Sequence, residues 1–300
     1  VDGSVGGFQL LILERTLNIA VLSDVHGNLP ALEEVLNDLQ EFSPNRIIVA
    51  GDLTGGPFNN EVIEILRGMD ACMVLGNSDL NLLRYVRGDA PIEWRTRKQF
   101  GLLRWNSENI SGENLQYLSE LPEERSFEIP GLDAIRVVHG APSDPYQSIY
   151  PDIDLDTLDQ SLGMIPEPVL ICGHTHRPWF IQRDKKMALN PGSVAGPLNG
   201  EIGAQYARLF CVDNRWNVEH ITISYDLAQL KKAFEVSGLL EKGGAVARGF
   251  LLSMENGHDA TLMFLEYAYG LARQAGFESA EILPDEIWEL ASETFDWDMV

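Results

Sequence analysis

The 300-residue sequence predicts an α/β protein, a mixed sandwich of two β-sheets with helices outside, followed by a helical C-terminal extension. Three observations predict it. Short apolar runs alternate with segments of helical spacing from Leu17 to about Leu121. Short strands separated by turn signals take over from Phe127. Beyond Asp226 the apolar residues recur at helical spacing. Strand–helix units followed by strand-rich units give two packed sheets covered by helices.

Residues 1–16 are expected to be a flexible tail, because Val1 to Gly7 are small and lack the parts of a secretory signal. The run Leu17 to Leu22 then reads as a buried strand, and Leu29, Leu32, Val35, Leu36 and Leu39 as one face of a helix. Between them stands Ser23-Asp24-Val25-His26-Gly27-Asn28. In an open parallel sheet this carboxyl end of a strand is where ligands bind. Asp24 and His26 are two residues apart, so an extended backbone points both the same way. Gly27 lets the chain turn beside them. Arg46 to Ala50 is a second strand ending in Gly51-Asp52, and Ala71 to Leu75 a third ending in Gly76-Asn77. Asn60 is expected to cap the intervening helix. Residues 80 to 121 read as helical, with Ser111 as an N-cap and Pro122 as a stop.

Phe127–Ile129, Ala134–Val138, Pro168–Cys172, Trp179–Gln182 and Met187–Leu189 read as short strands. Tyr206–Val212 and Trp216–Ser224 form a hairpin with Asp213-Asn214 at its turn. The acidic segment Asp144 to Asp159 reads as a solvated loop. Four helices follow, at Asp226–Val236, Ala245–Asn256, Asp259–Ala275 and Pro284–Thr294. Gly238, Gly257 and Gly276 stand at C′ positions, and Pro284 suits a first turn. The third of these helices is apolar on most sides, so it should bury against the sandwich or in a homo-oligomer. The expected division is a catalytic domain over residues 17–225 and a helical extension over 226–300.

The formal net charge of -23 argues against general nucleic-acid binding and against anionic membranes. It leaves room for a phosphorylated substrate, because bound divalent cations dominate the local field. No apolar run is long enough to span a bilayer. Three cysteines without framework spacing fit a reducing cytoplasm, the expected location. Cys172 reads as a small buried hydrophobe.

Four of the six histidines end apolar runs. These are His26, His139 after Val137-Val138, and His174 and His176 after Ile171-Cys172-Gly173. With Asp24, Asp52 and Asn77 they form a set of oxygen and imidazole donors at strand ends. Such donors suit Mn, Fe, Ni or Zn. One shared metal site explains all of these positions together, where separate surface roles would need a new reason for each.

The ordered series Asp24-x-His26, Gly51-Asp52, Gly76-Asn77-x-Asp79, His139 and Gly173-His174-Thr175-His176 resembles the calcineurin-like metallophosphoesterases. His139-Gly140-Ala141-Pro142 and Asn190-Pro191-Gly192-Ser193 look like that family's small bacterial and archaeal branch. The resemblance covers about residues 17 to 225. It implies an αββα sandwich and a centre of two divalent ions. One ion would take Asp24, His26 and His176, the other Asn77, His139 and His174, and Asp52 would bridge them. Asp52, Asn77, Asp79 and His139 are the residues expected to act in catalysis. The implied activity is hydrolysis of a small phosphodiester or nucleotide-like substrate, by in-line attack of a hydroxide between the ions. A phosphomonoesterase or dinucleoside polyphosphate hydrolase would use the same site, and some relatives use the fold as a protein-binding scaffold. Here every ligand position is filled.

Two departures refine the expectation. Many family members carry a His after the Gly-Asn that protonates the leaving group, and this sequence has Ser78. A hydroxyl is a poor acid near neutral pH, which favours diesters or good leaving groups. Family protein phosphatases carry an Arg soon after the second motif, and Leu53 to Pro57 contain none. Arg177 is a candidate substitute for gripping phosphate or, equally, a surface residue.

Overall fold

The structure, a computed structural model, describes residues 17–128, 132–152, 154–212, 215–277 and 281–300. The expected tail, Ile129 and the turn at Asp213-Asn214 lie outside the described residues. Strands form at β1 (Asn18–Leu22), β2 (Arg46–Val49), β3 (Cys72–Met73), β4 (Arg125–Phe127) and β5 (Ile135–Val137). They continue at β6 (Val169–Ile171), β7 (Trp179–Arg183), β8 (Lys186–Asn190), β9 (Ala204–Val212) and β10 (Arg215–Ile223). The helices are α1 (Leu29–Phe42), α2 (Asn59–Gly68), α3 (Asn77–Arg87), α4 (Glu93–Thr96), α5 (Gly101–Asn109) and α6 (Gly112–Glu120). After α7 (Leu155–Met164) come α8 (Leu227–Val236), α9 (Leu239–Asn256), α10 (Ala260–Gln274) and α11 (Asp285–Thr294).

The described strands build two five-stranded sheets, ordered β10-β9-β1-β2-β3 and β4-β5-β6-β8-β7. In the first, β1, β2 and β3 are parallel, and the β9–β10 hairpin joins β1 antiparallel. In the second, β5, β6 and β8 are parallel between the antiparallel β4 and β7. The two-residue period of a strand sorts the layers. Ile19 and Val21 face inward with Ile48, Val137, Ile171 and Leu189 between the sheets. Ala20 and Leu22 face outward under Leu32, Val35 and Val62 of α1 and α2. On the far side Leu170 and Ala188 pack under Leu158 and Leu162 of α7. The order is therefore helix, sheet, sheet, helix. Each fully buried Ile, Leu or Val contributes about 1.5–3 kcal/mol.

Some local expectations change. Asn60 lies inside α2, which has no side-chain cap at Phe58, and its amide reaches across to Asn109 O. The expected solvated loop at Asp144–Asp159 ends in α7: Asp154 accepts from Asp156 N and Thr157 N, and Leu158 and Leu162 are buried. The helical stretch over 80–121 is broken into α3 to α6, and Ser111 caps α6 as its position predicts. In α10 a narrow stripe spaced by four, Ala260, Phe264, Ala268 and Ala272, is buried. Leu262 and Met263 remain 50% and 41% exposed, so this helix is less covered than its composition implies.

The extension lies on the sandwich. Phe234, Leu251 and Met254 form one core with Trp105 and Ala195. Phe264, Trp288 and Trp297 form another between α10 and α11. Among the described residues no helix is long and apolar enough to cross a membrane.

Candidate metal centre

The loops after β1, β2, β3, β5 and β6 meet at one edge of the sandwich and are tied together by backbone bonds. Asp24 N donates to Gly51 O at 3.0 Å, His26 N to Asp52 O at 2.9 Å, and Gly173 N to His139 O at 2.7 Å. The approach needs glycine. A Cβ on Gly76 would lie 2.0 Å from Asp52 Oδ1, and one on Gly173 would lie 1.9 Å from Ser23 Oγ. The backbone also leaves ordinary conformations here. Asp24, His26, Asp52, His174 and His176 all have positive φ, between 44° and 68°. Such residues each cost about 1–3 kcal/mol and persist where the surroundings force them, commonly at functional sites.

These bends converge the side chains. Asp24 Oδ1 faces His176 Nε2 at 3.3 Å, and His26 Nε2 and His139 Nε2 at 3.9 Å each. Asp52 Oδ2 lies 3.4 Å from His26 Nε2 and 3.5 Å from His139 Nε2. His26 Nε2 and His176 Nε2 are 3.3 Å apart, and His139 Nε2 is 2.9 Å from Asn77 Oδ1. The His174 ring packs against that of His139, with centroids 5.2 Å apart.

A cation fits this donor set. Three imidazoles give their Nδ1–H to carbonyls: His26 to Thr54 O at 2.9 Å, His139 to Ala50 O at 2.7 Å, and His176 to Gly196 O at 2.9 Å. That leaves each Nε2 lone pair aimed at the centre, the usual arrangement of a metal-binding histidine. Asp24 Oδ1 is buried with no hydrogen-bond partner among the described residues. A buried carboxylate oxygen in that condition is costly unless a cation meets it. Among the described residues, two groups have ligand atoms close enough to share an ion: Asp24, His26 and His176, and Asp24, Asp52 and His139.

The electrostatics of the protein groups agree. Burial alone would raise both carboxylates. The imidazoles of His176 and His139 outweigh it at Asp24, and those of His139 and His26 at Asp52, so both stay below the usual range. Burial pushes His139 down, but Asp52 and Asp24 lift it to about 10. Burial lowers His26 and His174. His176 is raised, because Asp24 overcomes its burial. The cluster is thus rich in negative charge that a proton or a metal ion can neutralise.

Asp24, His26, Asp52, Asn77, His139, His174 and His176 come together. Their convergence does not arise by strand alternation, since the first pair turns through left-handed backbone. His174 and His176 part company, the first going to His139 and the second to His26. Asp79 does not join them. Its carboxylate accepts from Leu53 N, Thr54 N, Thr54 Oγ1 and Gly76 N and holds the Asp52 loop. Ser78 donates from N to Asp52 Oδ1 at 2.8 Å and from Oγ to Oδ2 at 3.0 Å. Arg177 is exposed, donating to Leu198 O with its guanidinium over Tyr150. Cys172 is buried in the core under α7, as expected, and burial pushes its thiol up. The carbonyls of Ala50, Thr54 and Gly196 carry no side-chain signature and were not legible. Neither was Phe250, whose ring lies 4.9 Å from that of His26.

Comparison with known proteins gives the chain a family. The sequence model of the calcineurin-like phosphoesterase superfamily domain matches residues 17–214. The uncharacterized protein MJ0912 of Methanocaldococcus jannaschii is 30% identical over 237 residues, covering 72% of this chain and 90% of that protein. The crystal structure of a metallophosphoesterase from Sphaerobacter thermophilus matches with a TM-score of 0.66 at 27% identity, over 80% of this chain and all of the other. The hypothetical protein PH1004 of Pyrococcus horikoshii shares the fold, with a TM-score of 0.67 at 20% identity over 81% of this chain and 99% of its own. The chain belongs to the calcineurin-like phosphoesterase superfamily and is a metal-dependent phosphoester hydrolase.

Proposed function

We propose that the protein hydrolyses a small phosphodiester or nucleotide-like substrate at a pair of divalent ions, Mn, Fe, Ni or Zn. Asp24, His26 and His176 would hold one ion, Asn77, His139 and His174 the other, and Asp52 both. One observation carries this reading: Asp52 Oδ2 stands 3.4 Å from an imidazole of the first set and 3.5 Å from one of the second. When bound, such ions supply positive charge to the phosphoryl oxygens and lower the pKa of a shared water.

The chain's own groups do the rest. Carbonyls of Ala50, Thr54 and Gly196 each engage Nδ1 of an imidazole and so leave Nε2 as the atom that faces the centre. Ser78 orients Asp52 from both its backbone and its hydroxyl. No imidazole stands at position 78 to protonate a leaving oxygen, which favours diesters and acidic leaving groups. The net charge of -23 disfavours a long polyanion and favours a small substrate.

The test is metal analysis of the purified chain, followed by a panel of aryl and alkyl monoesters, diesters and nucleotides with Mn, Ni, Zn, Mg and Fe. Two ions per chain and loss of hydrolysis on chelation are expected. Asp52→Asn should lower both metal content and turnover more than any other single ligand change. Full metal content and activity in Asp52→Asn would refute the shared role.

A further inference from the structure

We infer that α9 of the C-terminal extension forms a wall of the metal centre, and that Phe250 is a positioning residue for His26. This rests on the metal-centre reading above. The family match ends at residue 214, before α9 begins. Yet the Phe250 ring meets the His26 imidazole at 4.9 Å and nearly at right angles, 85°. The other restraints on that imidazole are polar or steric. Its Nδ1 is held by Thr54 O at 2.9 Å, and Gly55 backs the ring so closely that a Cβ there would lie 2.8 Å from Nδ1. Phe250 adds an apolar contact that resists tilting of the ring.

Four residues further along the same helix face, Met254 meets Gly196. A Cβ on Gly196 would lie 3.0 Å from Met254 Cγ and 3.1 Å from its Cα. Gly196 O is the acceptor for His176 Nδ1. One face of α9 therefore supports both imidazoles of a single donor set, His26 directly and His176 through a carbonyl. The other set is held differently: His139 is fixed by Ala50 O, and its described ring contact is with His174. Support of this kind orients a ligand without touching the ion, and it should affect the two ions unequally.

The test titrates Mn²⁺ into the chelator-stripped full chain by calorimetry, for wild type, Phe250→Ala and Phe250→Leu, with the melting temperature before metal addition as the fold control. In Phe250→Ala one binding step should weaken by about 10–100-fold, the range found for groups that orient ligands, and the other by less than about threefold. Phe250→Leu, which keeps apolar bulk against the ring, should fall between. It also carries the comparison if the alanine variant does not fold. Unchanged affinity in both variants would overturn the inference. So would equal weakening of both steps together with a lower melting temperature, which would make Phe250 ordinary core packing. A wild-type chain that takes up no Mn²⁺ would overturn the metal-centre reading itself, and this inference with it.

Discussion

Ser78 spends its hydroxyl on Asp52 Oδ2 at 3.0 Å, so the side chain nearest the missing proton donor orients a carboxylate. General acid catalysis recovers about 10²–10⁴-fold for a poor leaving group. Ser78→His should therefore raise turnover of alkyl esters more than that of aryl esters, read as a shallower slope of log rate against leaving-group pKa. Equal slopes would place the proton donor elsewhere. Asp79 would not orient the new imidazole, because four donors already occupy its oxygens. Its own role is read from Asp79→Asn, which turns an amide N–H₂ toward backbone N–H groups. A buried mispaired group costs about 1–3 kcal/mol, so the variant should melt at lower temperature in a thermal scan. At this scale the positions that converge were legible, because acids and histidines ended one apolar run after another. The directions of the side chains were not. They depend on five left-handed residues, and the mild left-handed preference of Asp and His does not say which positions adopt it.

The helices of the extension were legible as elements, the second of them from Ala245; the turn of helix before that point, from Leu239, was not. Helix α9 runs from Leu239 to Asn256, but within it Gly244 has φ 60° and ψ -138°, a region open to glycine. Nothing lies within 4 Å of a Cβ placed there, so Gly244→Ala meets a backbone penalty and no clash. That penalty is about 1–3 kcal/mol. The variant should melt earlier and bind Mn²⁺ more weakly, because the break aims the half of α9 that bears Phe250. Wild-type melting and affinity would mean that the bend is incidental. Helix α7 was missed for a different reason: its acidic residues outweighed the spacing of Leu158 and Leu162, although Asp154 caps it. A further tie joins α1 to β9, where Asp38 meets Tyr206 and Arg208. Partial burial would raise Asp38, but these two partners hold its carboxyl below the usual range. A depressed folded-state pKa gives stability that is complete above the unfolded value and lost as pH falls through the folded one. Asp38→Asn should flatten that acid limb, by less than about 1 kcal/mol for so open a pair, as measured by denaturation between about pH 2 and pH 6.

For the whole molecule, the layered sandwich followed from alternation within strands, since Ile19 and Val21 serve one layer and Ala20 and Leu22 the next. How the extension sits could not be read that way, because a helical stripe says that a face is buried and not what covers it. The structure supplies the cover. Leu230, Phe234, Leu239, Leu251 and Met254 close over Trp105 and Ala195, and Ala195 N donates to Asp24 O at 3.0 Å. Cutting the chain after Tyr225 would remove these large buried side chains and expose their partners. At about 1.5–3 kcal/mol for each buried side chain, the loss is comparable to the roughly 5–15 kcal/mol that holds a typical domain folded. That shortened chain should aggregate or show no cooperative unfolding. Cutting after His258 removes α10 and α11 but keeps the first cluster intact. This second chain should fold, melt at lower temperature because Val246 and Leu252 lose their cover, and still bind Mn²⁺ with near wild-type affinity. Calorimetric scans and Mn²⁺ titrations of the two chains separate the parts of the extension. Cooperative unfolding at the wild-type temperature in the shorter chain would show that α8 and α9 are dispensable to the sandwich. Loss of metal binding in the longer one would show that the wall of the metal centre depends on α10 and α11 as well.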